Sequence, residues 1–327
     1  MRILKHEEIQ SCATGCLDWK SDSKGFSAVR FPQPVMDFYG QSEGSRIRAE
    51  CPAGVVLDFT TDSLTIRVCG EFGEGARKYA SIDLIEDEEL VDIIEIPENA
   101  PMADGVLRGS RAGLRRCRIY LPHVRSFHIR SIELEEGSQF NPSAHRPVLL
   151  ALGDSITQGM NALHPALTYP ALTARLMDMT LYNGGIGGAR FNAASIPEIL
   201  VANPELILVA YGTNDWKGGQ SPENAKAYLR QLRNLYPQVP IVLLEPIFRA
   251  ISLQANPEGL TLADYRARLR GIAGKLQGVR VIPSEKLLPP SEEWLSDGTH
   301  PGCGGHLLYG LNLAALLKAS PEILPAS

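Results

Sequence analysis

The hydrophobic period of this 327-residue chain changes at Pro147, and that change limits the available folds more than any other feature. From about Arg46 to Glu135, short segments alternate apolar with polar residues and are parted by Gly, Pro and acidic turns. Leu64, Ile66 and Val68 alternate with Thr65, Arg67 and Cys69, and Phe127 and Ile129 flank His128 in the same way. A period of two with no intervening helical stretch predicts antiparallel strands, wet on one face, in a sandwich or jelly roll. Residues 137–146 (GSQFNPSAHR) read as the linker that closes this part, so the division falls at 1–145 and 146–327.

Beyond Pro147, apolar runs of strand length alternate with stretches of helix length. The strands fall at Val148 to Leu152, Leu181 to Tyr182, Leu206 to Ala210, Ile241 to Leu244 and Val279 to Ile282. One helix starts at Ser221 and Pro222, a cap and first-turn pair, and runs to Tyr236; others cover about Leu262 to Leu276 and His306 to Lys318. Strand and helix in alternation predict a doubly wound parallel sheet of about five strands, an α/β domain behind an all-β one.

Charge narrows the function. Thirty-two basic against 37 acidic residues give a net charge of −5, without the Lys and Arg clusters that phosphate neutralisation needs, so nucleic acid is not an expected partner. The longest apolar run, Leu206 to Tyr211, suits one strand and falls well short of the roughly 18 residues that span a bilayer, so no membrane partner is expected either. Lys5, His6, Glu7 and Glu8 stand where a signal peptide would place its apolar core, which implies a cytoplasmic location. The six cysteines repeat no zinc spacing, and the Cys303/His306 pair has no second ligand pair, so no metal is implied. NGGIGG lacks the dinucleotide spacing and no Walker loop occurs, so no cofactor is implied.

In a parallel sheet, every loop leaving the carboxyl end of a strand opens on one edge, where ligands bind. Four polar clusters fall there: GDSITQG (153–159), NGGIGG (183–188), GTND (212–215) and DGTH (297–300). Together they contain what acyl transfer requires: a nucleophile, a base, a group orienting that base, and donors for an oxyanion. Ser155 lies at a strand-to-helix turn that Gly153 permits. His300 can exchange a proton near its ordinary pKa of about 6.5, and Asp297, three residues earlier, can hold the other ring nitrogen. The backbone N–H of Gly188, the side-chain amide of Asn214 and the N–H of Ser155 can form an oxyanion hole. Asp154 and Asp215 read as structural groups that tie their loops.

These four blocks, in this order, resemble those of the SGNH, or GDSL, hydrolase superfamily over about residues 147 to 320. The resemblance implies a flavodoxin-like sheet, a Ser155, Asp297, His300 triad and an oxyanion hole from Ser155, Gly188 and Asn214. A β-rich segment ahead of such a domain is similar to the arrangement in two-domain carbohydrate esterases and GDSL acyltransferases. Some of those esterases lack the orienting acid; Asp297 is present here, so a full triad is expected.

Trp216 follows GTND and Trp294 precedes Asp297 by three residues, so either can stack on a sugar or wall an acyl slot, against the alternative of plain packing. Arg190 and Lys217 follow two of the blocks and are read as possible contacts to a polar or anionic leaving group, or as solvated surface. The expected activity is that of a serine esterase cleaving a short, acetyl-like acyl group from a sugar or other polar alcohol. Two alternatives stand beside it: an acyltransferase using the same residues, and a carbohydrate-binding protein without catalysis. The substrate is thus a small-molecule ester, an acylated carbohydrate among the candidates, and a homo-oligomer is compatible with the sequence.

Overall fold

The computed structural model describes residues 1–197, 201 and 203–320. Its N-terminal part is a sandwich of two antiparallel sheets. One sheet runs in the order Asp18–Asp22, Gly25–Val29, Arg125–Leu134, Thr65–Gly75, Met102–Arg108, with Arg2–Ile3 added beside Arg125–Leu134. The other runs Asn141–Pro142, Val56–Thr61, Arg115–Tyr120, Ala80–Glu86, Glu89–Ile96, with Ala13–Thr14 against Val56–Thr61. Because successive side chains of a strand point to opposite faces, Ile66, Val68, Phe127 and Ile129 of the first sheet meet Leu57, Phe59, Ile82 and Ile119 of the second.

Two features differ from the sequence expectation. Arg46 to Glu50 belong to a helix, Glu43–Glu50, in which Arg46 pairs with Glu50 at 2.8 Å one turn on and Ala49 is buried. Helices also cover His6–Cys12 and Gln33–Gly40. The segment read as a linker contributes Asn141–Pro142 to the sheet edge, where a residue without an N–H is tolerated.

The second part is a five-stranded parallel sheet in the order Thr180–Gly185, Val148–Gly153, Leu206–Ala210, Ile241–Leu244, Val279–Ile282. In chain order this is 2-1-3-4-5, the flavodoxin-like winding, and the strand order reverses beside Val148–Gly153. Alternation along the strands divides the core. Leu150, Leu152, Ile207, Val209, Ile241 and Leu243 face helices Glu223–Leu235 and Leu262–Ala273. Leu149, Ala151, Leu206, Leu208, Val242 and Leu244 face helices Tyr169–Leu176 and Cys303–Lys318. The expected helices thus form; Leu262–Ala273 starts on a capping box in which Thr261 and Asp264 satisfy each other's backbone N–H.

The two parts are not beads on a string. Phe31, Val35 and Ala49 extend one of the two α/β cores, and Val56, Ile85 and Tyr120 extend the other. Buried Arg30 donates to the carbonyls of Cys51 (2.5 Å) and Arg48 (2.9 Å) on its own side, and to that of Asn183 (2.5 Å) in the glycine-rich block. Among the described residues no carboxylate pairs with it, and burial pushes its guanidinium down to about 10. Replacing Arg30 by Met removes its hydrogen bond to the Asn183 carbonyl, at about 1–3 kcal/mol, and leaves the Cys51 and Arg48 carbonyls to the Ala53 N–H and the Gln158 amide. Arg30→Met is expected to lower the thermal midpoint by several degrees; an unchanged midpoint would show that the guanidinium does not secure the junction.

Candidate active site

The four clusters converge on the carboxyl edge of the parallel sheet. Strand Val148–Gly153 ends at Gly153, where a Cβ would lie 2.0 Å from Thr157 Oγ1, so only glycine admits the tight turn. Asp154 caps the following short helix, Ser155–Gln158, by accepting the Ile156 N–H at 3.0 Å, and Gly159 ends it at φ +99°. Ser155 is the first helical residue, so its own N–H has no acceptor within the helix.

His300 arrives from the opposite end of the domain. Asp297 Oδ1 accepts the N–H groups of Thr299 (3.0 Å) and His300 (2.8 Å), which folds DGTH into a tight turn. This turn brings the ring back over its own carboxylate: His300 Nδ1 lies 2.8 Å from Asp297 Oδ2, and Nε2 lies 2.8 Å from Ser155 Oγ. A carboxylate can only accept, so Nδ1 carries the hydrogen and Nε2 offers its lone pair to the serine hydroxyl. Ser155 is 6% exposed, while the Asp297 side chain is 43% exposed, so the line runs from a sheltered hydroxyl to an open rim.

Partial burial works against the charge on Asp297, but hydrogen bonds from the His300 backbone and ring, and from Thr299, outweigh it and hold the carboxyl at about 2. For His300, burial is the largest influence and moves the ring below its ordinary value; Asp297 opposes this, and the guanidinium groups of Arg77 and Arg249 reinforce it. The ring therefore stays neutral further into the acid range than a free imidazole.

Gly188 and Asn214 are brought to the same edge. The Asn214 amide donates to the Ala189 carbonyl at 3.1 Å, which joins GTND to the glycine-rich block and leaves its second N–H available. Among the four glycines of that block only Gly188 has a positive φ, +83°, and a Cβ there would meet open space. Gly185 and Gly187 are needed for another reason: a Cβ would strike the backbone of Thr157 and Gln158 in the first case, and Met160 and Arg48 in the second.

Asp154 and Asp215 are both buried, and burial pushes them up to about 7 and about 6. Asp215 accepts the Phe191 N–H at 3.1 Å, so each carboxylate holds backbone of its own neighbourhood. Trp216 lies in the core rather than on a pocket wall: it is 2% exposed, and its indole donates to the Leu260 carbonyl. It shares this core with Leu262, Tyr265 and Leu269 of helix Leu262–Ala273. Trp294 is half-buried against the other core. Arg190 is exposed and lies over Gly218, and Lys217 is exposed. His306 is buried with Nδ1 accepting from the Tyr169 N–H and Nε2 facing the Met160 carbonyl, so both ring nitrogens are engaged by backbone.

Several residues that touch this site carry no sequence signal. Asn161 donates to Asp297 Oδ2 at 2.9 Å, and buried Arg249 donates to Thr299 Oγ1 at 2.9 Å. Asn161 follows the first block closely, and only its positive φ, +70°, marks it. Arg249 stands outside all four blocks.

Ser155, His300 and Asp297 thus stand in hydrogen-bonded line at the carboxyl edge of a doubly wound sheet. Residues 151–308 match the GDSL-like Lipase/Acylhydrolase family, so the chain carries a GDSL-like lipase/acylhydrolase (SGNH) domain. No curated protein sequence matches the chain as a relative. Solved structures show the same two-part fold. The salicylyl-acyltransferase SsfX3 from a tetracycline biosynthetic pathway is 23% identical, with 96% of each chain covered and a TM-score of 0.81. An acetyl xylan esterase, Est2A, from the rumen bacterium Butyrivibrio proteoclasticus is 13% identical over 99% of each chain, with a TM-score of 0.64. A family two carbohydrate esterase from Clostridium thermocellum, in complex with cellohexaose, is 13% identical; 83% of this chain and 94% of that one are covered, with a TM-score of 0.62.

Gly188 offers a test of the local backbone. An L-residue in the left-handed region costs about 1–2 kcal/mol, while the space at Gly188 is open. Gly188→Ala is expected to fold with a thermal midpoint lowered by that strain alone; a loss of folding would show that the loop packs more tightly than this.

Proposed function

We propose that the protein is a serine esterase in which Ser155 is the nucleophile, His300 the base and Asp297 the group that orients it. The observation that carries this reading is the continuous line from Ser155 Oγ through both ring nitrogens of His300 to Asp297 Oδ2, each link 2.8 Å. His300 Nε2 takes the hydroxyl proton as Ser155 Oγ attacks the ester carbonyl. The resulting tetrahedral oxyanion is bound by the N–H groups of Ser155 and Gly188 and the free amide hydrogen of Asn214. The C–O bond to the alcohol then breaks, and the imidazolium returns its proton to the departing alkoxide. Water, deprotonated by the same nitrogen, attacks the acyl-serine; the bond from the acyl carbon to Ser155 Oγ breaks, the imidazolium returns its proton to Oγ, and the acid leaves.

The proposed substrate is a short, acetyl-like ester of a sugar or other polar alcohol. The groups bonded around the line support it: Asn161, Ser296, Thr299 and Arg249 are polar, and the rim at Asp297 is open. The fold likeness to the acetyl xylan esterase and to the cellohexaose complex points the same way. We place the catalytic part at residues 146–327 and the β-sandwich at 1–145.

Ser155→Ala is expected to lower kcat on nitrophenyl acetate by at least about 10³-fold with the fold intact, and to abolish labelling by a fluorophosphonate. Retained turnover or labelling would remove Ser155 from the mechanism. Asn214→Ala is expected to cost about 10²–10³ in kcat. An acyl-chain series on nitrophenyl esters tests the substrate reading, which long-chain preference overturns. Transfer of the acyl group to an added sugar in preference to water would identify an acyltransferase instead.

The acid limb gives a second check. Protonated His300 cannot accept the serine proton, so kcat/KM should rise with pH as the ring loses its proton. Since burial lowers that proton's affinity, the midpoint is expected below the ordinary histidine value of about 6.5; a midpoint above it would contradict the site as described.

A further inference from the structure

The β-rich part is hydrogen-bonded to the carboxylate of the proposed triad by way of the Asn161 side chain. Between strands Thr65–Gly75 and Ala80–Glu86 lies a short loop, pinned by the Ala76 N–H on the Val124 carbonyl (2.8 Å) and by the Asn99 N–H on the Lys78 carbonyl (3.2 Å). Two of its side chains grip Asn161. Arg77 Nε donates to Asn161 Oδ1 at 2.8 Å, and the Tyr79 hydroxyl accepts the Asn161 backbone N–H at 2.9 Å. Asn161 Nδ2 in turn donates to Ser296 Oγ at 2.8 Å and to Asp297 Oδ2 at 2.9 Å, the same oxygen that faces His300 Nδ1.

We propose that Arg77, Tyr79 and Asn161 are positioning residues, through which the β-rich part holds Asp297 and His300 in register with Ser155. The inference rests on the triad reading above. The amide orientation follows from its partners, because a guanidinium N–H can only donate to Oδ1 and a carboxylate can only accept from Nδ2. With Thr299 and His300 N–H groups on Oδ1 and Asn161 on Oδ2, the carboxylate has no rotation left that keeps its bonds, so the imidazole is aimed by atoms of both parts of the chain. Arg77 contributes a second effect. Its positive charge faces His300 and disfavours the imidazolium, as does that of Arg249, while Asp297 favours it. Two further titratable neighbours, the buried imidazole of His306 and the Tyr79 phenol, are held neutral by burial, the phenol pushed up to about 12; Cys303 lies close to Tyr79. Removing the Arg77 charge therefore leaves Asp297 less opposed and raises the proton affinity of His300.

The test uses the full chain with ¹³C-labelled histidine, comparing wild type, Arg77→Met, Arg77→Lys, Asn161→Ala and Ser155→Ala. NMR titration reads the His300 midpoint, and the pH dependence of fluorophosphonate labelling reads the reactivity of Ser155. Arg77→Met is expected to move the midpoint and the acid limb to higher pH together, and Arg77→Lys to return both toward wild type. Asn161→Ala is expected to slow labelling about tenfold to a hundredfold, the scale of a small misplacement of a catalytic group. Labelling that depends on Ser155 but keeps the wild-type rate and acid limb in the Arg77 and Asn161 variants would overturn the inference and leave the triad standing. A uniform loss of labelling with an unmoved His300 midpoint in Arg77→Met would reduce Arg77 to a fold-holding role, which also overturns it. Labelling indifferent to Ser155→Ala would instead remove the triad reading, and the inference with it.

Discussion

Burial of the parallel sheet on both faces is the constraint on which the remaining architecture depends. A sheet with water on neither side needs helices on both, and the alternating strand residues from Leu149 to Leu152 and from Leu206 to Val209 specify which helix covers which face. A slip of one residue in either strand would exchange the two cores. Once that register is set, all loops leaving the strands must open along one edge. Gly153, Gly185 and the turn at Gly212 then stand side by side without any further requirement.

At that edge the charges are arranged unequally. Asp154 and Asp215 sit in the interior, where burial favours their neutral forms, while Asp297 lies at the rim and is kept ionised by hydrogen bonds from its own turn. Arg249 lies between these groups: it bonds Thr299 beside the histidine turn, and its charge acts on both Asp154 and Asp297. Environment rather than residue type therefore separates three aspartates of three neighbouring blocks. Only the solvated one is suited to hold a charge opposite an imidazole.

The β-rich part is joined to this edge by polar as well as apolar contacts. Arg30 holds the strand that carries the glycine-rich block, His123 lies 2.9 Å from the Gly159 carbonyl, and Ser81 and Asp83 bond the segment around Leu163 and Ala166. These contacts fall on the segments flanking Ser155, which is why the sandwich is continuous with the two α/β cores rather than an appendage tethered by a linker.

The four blocks, the change of period at Pro147 and the positions of the parallel strands were legible in the sequence because each is local: turn chemistry, alternation and cap residues depend on neighbours within a few positions. Helix Glu43–Glu50 was not legible, since its exposed face is polar and only Ala49 is buried. Nor was the burial of Trp216, whose indole donates to the Leu260 carbonyl 44 positions away. By itself the sequence determined which residues could perform the chemistry and on which edge they would emerge. Only the tertiary structure decided that Asn161, Arg77, Tyr79 and Arg249 surround them, because a hydrogen bond such as Arg77 to Asn161 joins side chains 84 positions apart and leaves no periodicity or spacing to read.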